Sequence, residues 1–225
     1  MTPNTKPAQA TCLRRCVLLV SVLAAGCAVG QGGTWVKASG QIQEQTRALE
    51  GFTGLEVGPG FTAEVMAGEA FAVVVRGDAA FLPHVETRVE HGSLVVRLSD
   101  RVAVRPRALL SVAVRMPSVD RLGVIGSQIS LTGLSGSSMA LRAMAGSKLR
   151  AHGVRGHRLA LTVGERSRVE IDGQVNELRA QVTGASEVHA RQLHARSATV
   201  AVTPGARLEM QNVGKDGREL ASLLR

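Results

Sequence analysis

Tyrosine is absent from this chain of 225 residues, tryptophan occurs once, and aromatics of all kinds make up 2% of it. That scarcity removes several functional classes at once. Sugar-binding clefts usually offer Trp or Tyr platforms, single-stranded nucleic acid is held by aromatic stacking, and outer-membrane barrels carry aromatic girdles. Cysteine is scarce too, and Cys12, Cys16 and Cys27 all lie in the first 27 residues, so the body has no disulfide available to it. No window carries apolar residues at i, i+3, i+4 and i+7 over three turns, so helices are nearly excluded. Nothing matches a phosphate loop, a nucleophile elbow or a zinc motif.

What the chain does have is repetition. From about Asp120 to Val213 one pattern recurs five times with a period close to 20 residues. A first apolar column reads Leu122, Leu141, Leu161, Ala180, Val200, and a second, two residues on, reads Val124, Ala143, Val163, Val182, Val202. Turns follow, with Gly126-Ser127, Gly146-Ser147, Glu165-Arg166-Ser167, Gly184-Ala185-Ser186 and Pro204-Gly205. A third column is Ile129, Leu149, Val169, Val188, Leu208, and a fourth is Leu131, Ala151, Ile171, Ala190, Met210. Leu134, Val154, Val175, Leu193 and Val213 close the coils. A spacing of two within each segment is the strand period, and glycine and proline between segments supply turns.

This pattern predicts an all-β fold: a single-stranded parallel β-helix, or β-solenoid, of about 20 residues per coil, with rungs about 4.8 Å apart. Short strands with frequent turns also describe an antiparallel β-sandwich, which is the competing expectation. Two irregularities favour that competitor. The first coil is one residue short between Val124 and Ile129, and the third lacks a turn glycine and closes late at Val175. Residues 118–213 are assigned to the regular rungs.

Residues 41–117 are still β in pattern but less regular. Expected strands are Gly54–Val57, Phe61–Met66, Ala70–Arg76, His84–Glu90, Ser93–Leu98 and Leu109–Arg115, separated by turns such as Gly58-Pro59-Gly60 and His91-Gly92. This half is expected to stack on the first regular rung and cover its edge. Residues 214–225 are expected to be a cap or tail, with Leu220, Leu223 and Leu224 at helical spacing.

The front of the chain predicts export. Residues 1–15 hold three positive charges and no acid, and Cys16 to Ala25 is apolar, too short to span a bilayer. Leu23-Ala24-Ala25-Gly26-Cys27 resembles a bacterial lipoprotein signal, with Ala24 where leucine is commoner. The resemblance implies a signal peptide over residues 1–26, a lipid on Cys27 and, because Ala28 follows, transfer to the outer membrane. Residues 27–40 then read as the lipidated cysteine and a flexible tether. Two or three acyl chains would make the membrane a lasting partner.

The net charge is +9, or +6 once Lys6, Arg14 and Arg15 of the leader are set aside. That favours anionic surfaces without choosing among them. Export and the lack of stacking aromatics argue against nucleic acid.

Several residues and their order along the chain resemble one family. They are Ala38-Ser39-Gly40, then Leu49 to Val57, Gly60 to Val65, Gly92-Ser93-Leu94-Val95-Val96 and the Gly-Ser turns of the rungs. Together they resemble the bacterial family described as "putative auto-transporter adhesin, head GIN domain" over about residues 38–213. The resemblance implies an exported β-helical domain, often lipid-anchored, with no catalytic residues to carry over.

Two outward columns are the candidate sites. One runs Ser130, Arg150, Glu170, His189, Glu209, in which Glu170, His189 and Glu209 have the chemistry of an acid–base or metal site. Opposite charges on neighbouring strands also form a simple charge ladder, which needs no active site. The second runs Gln128, Lys148, Arg168, Glu187, Arg207; its Lys148, Arg168 and Arg207 are a candidate face for an anionic ligand. The expectation is therefore a lipid-anchored envelope protein with an adhesin-like binding or structural module, without catalysis, cofactor or metal. Its expected partners are the membrane and either an anionic polysaccharide or another envelope protein. The alternative is a polysaccharide lyase or hydrolase of the β-helix type.

Overall fold

The computed structural model describes residues 34–100, 102–103 and 110–213. The expected signal segment 1–26, Cys27 and the expected cap or tail 214–225 lie outside the described residues.

The regular half is a parallel β-solenoid of about four turns. Strands β10 (Arg121–Ile125), β11 (Gln128–Thr132), β12 (Ser135–Met144), β13 (Lys148–Val163), β14 (Arg168–Val182), β15 (Glu187–Val202) and β16 (Arg207–Val213) wind one over another. All of their mutual pairings are parallel, which excludes the antiparallel sandwich. Leu122 pairs with Leu141, Leu141 with Leu161, Leu161 with Ala180 and Ala180 with Val200. The second column keeps register likewise, from Val124 through Ala143, Val163 and Val182 to Val202. Their side chains form one apolar core, sealed until the last coil, where Val200, Val202, Leu208 and Met210 are only partly covered.

Each coil has three parts. A first short segment carries columns one and two. A tight turn leads to a second segment carrying columns three and four. A return segment then runs on into the first segment of the next coil. On the return, Met139, Leu159, Leu178 and Ala198 stack as a further buried column that the two-residue periodicity did not isolate.

The irregularities have local explanations. In the short first coil Val124 still pairs with Ala143 and Ile129 with Leu149, so the missing residue comes out of the turn, where Gly126 alone takes positive φ. In the third coil Glu165 (φ 55°) and Arg166 (φ 62°) adopt the left-handed pair that Ala145-Gly146 and Gly184-Ala185 use. The Glu165 carboxylate accepts the Ala145 N–H at 3.0 Å, tying the turn to the one below. Val175 does not stand over Val154, contrary to the expected closing column. Val154 and Leu193 both pair with Gly173, while Val175 pairs with Gly156 and Ala195. The cause is a register shift at the corner, between Ala151 and Val154 on β13 and between Glu170 and Asp172 on β14.

Gly173 makes that corner feasible. Its φ is 127°, and a Cβ there would fall 2.0 Å from the Val154 carbonyl oxygen. Only a residue without a side chain lets the two backbones approach so closely.

The N-terminal half holds two hidden rungs. β3 (Gly54–Val57) and β4 (Phe61–Ala67) pair in parallel with β10 and β11, placing Leu55 on Leu122, Val57 on Val124, Ala63 on Ile129 and Val65 on Leu131. β7 (Ser93–Leu98) and β9 (Leu110–Met116) pair in parallel with the other edges of β3 and β4. The coil of residues 54–67 is thus sandwiched between the coil of 93–116 and the coil of 121–132, so stacking order departs from chain order.

Antiparallel strands cover the far end. β6 (Val85–Glu90) pairs with β7 through the His91-Gly92 turn, β5 (Ala72–Asp78) pairs with β9, and β2 (Ile42–Arg47) pairs with β5. A 3-10 turn, Leu82–His84, joins β5 to β6. All four phenylalanines lie in this half; Phe52 and Phe71 pack with ring centroids 4.9 Å apart.

The described end of the expected tether is bonded to the body. β1 (Thr34–Trp35) pairs with β8 (Val102–Ala103). Asp78 accepts the Ser39 N–H at 2.9 Å, the Ser39 hydroxyl at 2.8 Å, the Ala80 N–H at 2.9 Å and the Gly40 N–H at 2.7 Å. Burial raises its pKa, but those four hydrogen bonds outweigh it and hold the carboxyl at about 2.

Candidate functional site

The solenoid presents its second segments as one wall and its return segments, together with the first segments they run into, as another. Both candidate columns stand on the first of these. Parallel register brings Ser130, Arg150, Glu170, His189 and Glu209 into one row and Gln128, Lys148, Arg168, Glu187 and Arg207 into the next.

In the first row Arg150 Nε lies 3.1 Å from Glu170, and His189 Nδ1 lies 3.0 Å from Glu209. Arg191 reaches the same Glu209 oxygen at 3.1 Å. The hydrogen bond from His189, working against desolvation and helped by Arg191, holds Glu209 below the usual carboxylate range. Two residues further along the strands of Arg150 and Glu170, His152 Nδ1 lies 2.6 Å from Asp172. Burial raises the Asp172 pKa, and the Gly153 N–H with His152 more than reverses that.

In the second row Arg168 donates twice to Glu187, at 3.0 and 2.7 Å. That bond, followed by the charge of Arg168, lowers the Glu187 pKa. Arg168 is therefore engaged by Glu187 between Lys148 and Arg207. These are solvent-exposed pairs, each contributing little to stability. The wall as a whole is balanced: residues 128–132, 148–152, 168–172, 187–191 and 207–211 carry five Lys or Arg and four Asp or Glu.

Such an arrangement is an ion-pair ladder. General acid catalysis needs a carboxyl held protonated, and here the resolved shifts all favour the ionised form. Among the described residues no group of three or more His, Cys, Asp or Glu is placed to hold a metal ion.

The return wall differs in charge. Its four strand segments, 135–144, 155–163, 174–182 and 194–202, carry Arg142, Arg155, Arg158, Arg179 and Arg196 against one acid, Glu177. Glu177 bridges two of them, with Arg179 at 2.8 Å and Arg158 at 3.6 Å. Columns one and two lie at the far end of this wall, but its residues nearer the corner follow the register shift and were not gathered into a column. An open groove of about 880 Å³ lies beside its lower end, where Gly123 stands between Glu56 and Arg142.

Taken together, these features define a parallel β-solenoid with polar, charged outer walls. Residues 51–215 match the family model described as "Putative auto-transporter adhesin, head GIN domain", and the chain belongs to that family. No curated protein matches the sequence. Solved structures share the fold. One is a putative adhesin from Bacteroides fragilis, 11% identical with a TM-score of 0.70, covering 81% of this chain and 98% of its own. Another is a putative adhesin from Parabacteroides merdae, 12% identical, TM-score 0.56, covering 82% and 97%. A third is a putative lipid binding protein from Parabacteroides distasonis, 11% identical, TM-score 0.58, covering 80% and 99%. An adhesin-like family of this build fits a binding or structural role.

Proposed function

We propose that this chain is an exported, lipid-anchored protein of the bacterial cell envelope, held in the outer membrane through Cys27, whose solenoid serves as a binding module. The observation that carries the anchor is the segment Leu23-Ala24-Ala25-Gly26-Cys27 directly after a short apolar run. Membership of an adhesin-like family supports export. The clip of Ser39 and Gly40 onto Asp78 supports a division of labour in which the few residues between Cys27 and β1 are the tether and the body begins at once. Among the described residues no helix is long and apolar enough to cross a membrane, so attachment by acyl chains accounts for membrane residence without a span.

The test is metabolic labelling with a radioactive or clickable fatty acid. The native chain should incorporate label, and its precursor should accumulate with globomycin. Cys27→Ala should abolish both effects and move the protein to the soluble fraction. Unlabelled native protein, or unchanged fractionation of Cys27→Ala, would refute the anchor.

A further inference from the structure

We propose that the return wall binds an acidic polysaccharide. This rests on the reading of the chain as an exported binding module and names the face and the ligand chemistry. Each of four successive strands contributes at least one guanidinium: Arg142 from β12, Arg155 and Arg158 from β13, Arg179 from β14 and Arg196 from β15. In register Arg142 stands opposite Thr162, Arg158 opposite Glu177 and Arg179 opposite Ala160, so the guanidinium groups are spread over the wall at different positions along the strands.

Charge balance separates this wall from its neighbour. The second-segment wall interleaves cations with acids, whereas here a single carboxylate, Glu177, serves Arg158 and Arg179. Among the described residues Arg142, Arg155 and Arg196 have no ion-pair partner. A bound polyanion would supply the counter-charge that these guanidinium groups lack. Between the arginines stand serine, threonine, asparagine and glutamine side chains, which hydrogen-bond sugar hydroxyls.

The chemistry also discriminates among anions. Of the exposed large hydrophobics Ile42, Met66, Val89 and Ile125, Ile125 alone borders the return wall, beside Met144 at its lower edge, and a single side chain there gives little to insert into a bilayer. It holds no aromatic residue on which a nucleobase would stack. A hydrated chain of uronates or sulfated sugars fits both facts.

The experiment uses the full chain carrying Cys27→Ala, so that the outcome does not depend on acylation. Binding is measured to polygalacturonate, dextran sulfate, neutral dextran and phosphatidylglycerol vesicles over a range of NaCl. We expect binding to the two polyanions, weakening with salt, and none to neutral dextran. The triple variant Arg155→Gln, Arg158→Gln, Arg196→Gln should bind roughly 30-fold more weakly, at about 3-fold per exposed charge contact. The triple Lys148→Gln, Arg168→Gln, Arg207→Gln should lose less than about 3-fold. Matching thermal melts establish that each variant is folded. Failure of the native wall to hold either polyanion, equal loss in the two triples, or tighter binding to the vesicles than to polygalacturonate would each overturn the assignment. None of those results bears on whether Cys27 is acylated in cells.

Discussion

Replacing Ser127 by alanine tests how the coils are locked together at their turns. Ser127, Ser147, Ser167 and Ser186 are the buried polar residues of the turns, and they stack from coil to coil. The links are not equivalent. Ser147 N–H donates to the Ser167 hydroxyl at 3.1 Å but also approaches the Met144 carbonyl at 3.3 Å. Ser167 N–H is shared similarly, between the Ser186 hydroxyl and the Gly164 carbonyl, each at 3.2 Å. Removing either hydroxyl leaves the donor a second acceptor, so Ser167→Ala and Ser186→Ala should cost about 0.5–1 kcal/mol. Ser127 joins parts of the chain 66 residues apart: its hydroxyl accepts the buried Phe61 N–H at 3.0 Å and donates to the Gly58 carbonyl. Alanine there strands a donor and an acceptor together, and the expected cost is about 2 kcal/mol. In a chain of this size that lowers Tm by roughly 4–8 °C. Urea and thermal unfolding, followed by far-UV circular dichroism, give the ranking. If Ser127→Ala falls within about 0.5 kcal/mol of the native chain, or Ser186→Ala costs more than Ser127→Ala, the locking argument is wrong.

Three further outcomes follow from the same geometry. Gly173→Ala drives a Cβ to 2.0 Å from the Val154 carbonyl and should cost at least about 3 kcal/mol or prevent folding, seen as loss of soluble protein or a collapsed urea midpoint. Arg166→Gly relieves a non-glycine residue at φ 62° and should raise stability by about 1 kcal/mol; a lower urea midpoint would show that the turn is unstrained. Asp78 has a folded pKa of about 2 against an ordinary 3.8, so its contribution is complete above about pH 4 and drains away as the pH falls toward 2. Asp78→Asn, which cannot accept all four hydrogen bonds, should be less stable at pH 7 and show a flatter stability profile between pH 4 and 2; an unchanged profile refutes the clip.

The regular coils were legible because nothing interrupts their spacing. Column members recur every 19 or 20 residues from Leu122 to Val200, and the buried face repeats with them. The rungs of the N-terminal half obey the same side-chain rule but not the same spacing. Leu55 pairs with Leu122 across 67 positions and with Leu94 across 39, because antiparallel strands are inserted between coils. A search for a fixed period passes over such rungs, although Leu-x-Val stands at Leu55-Glu56-Val57 as it does at Leu94-Val95-Val96 and Leu122-Gly123-Val124.

The same limit acted on the charged surface. Columns counted outward from the turns keep register only as far as the corner at Gly173, where one strand gains a residue over its neighbour. Up to that corner the counted rows proved to be neighbours in space, and Arg150 with Glu170 and His189 with Glu209 are ion pairs a few ångströms apart. Past it, Arg158 pairs in register with Glu177 and Arg179 with Ala160, alignments that an unbroken count from the turn misplaces by one residue. An error of one position on a strand exchanges inside for outside. That is why Arg155, Arg158, Glu177 and Arg196 are hard to place from sequence, while Arg142, between Leu141 and Ala143, and the balanced wall beside the turns are easy. Register at the corner, more than composition, decides which charges this solenoid leaves facing a partner.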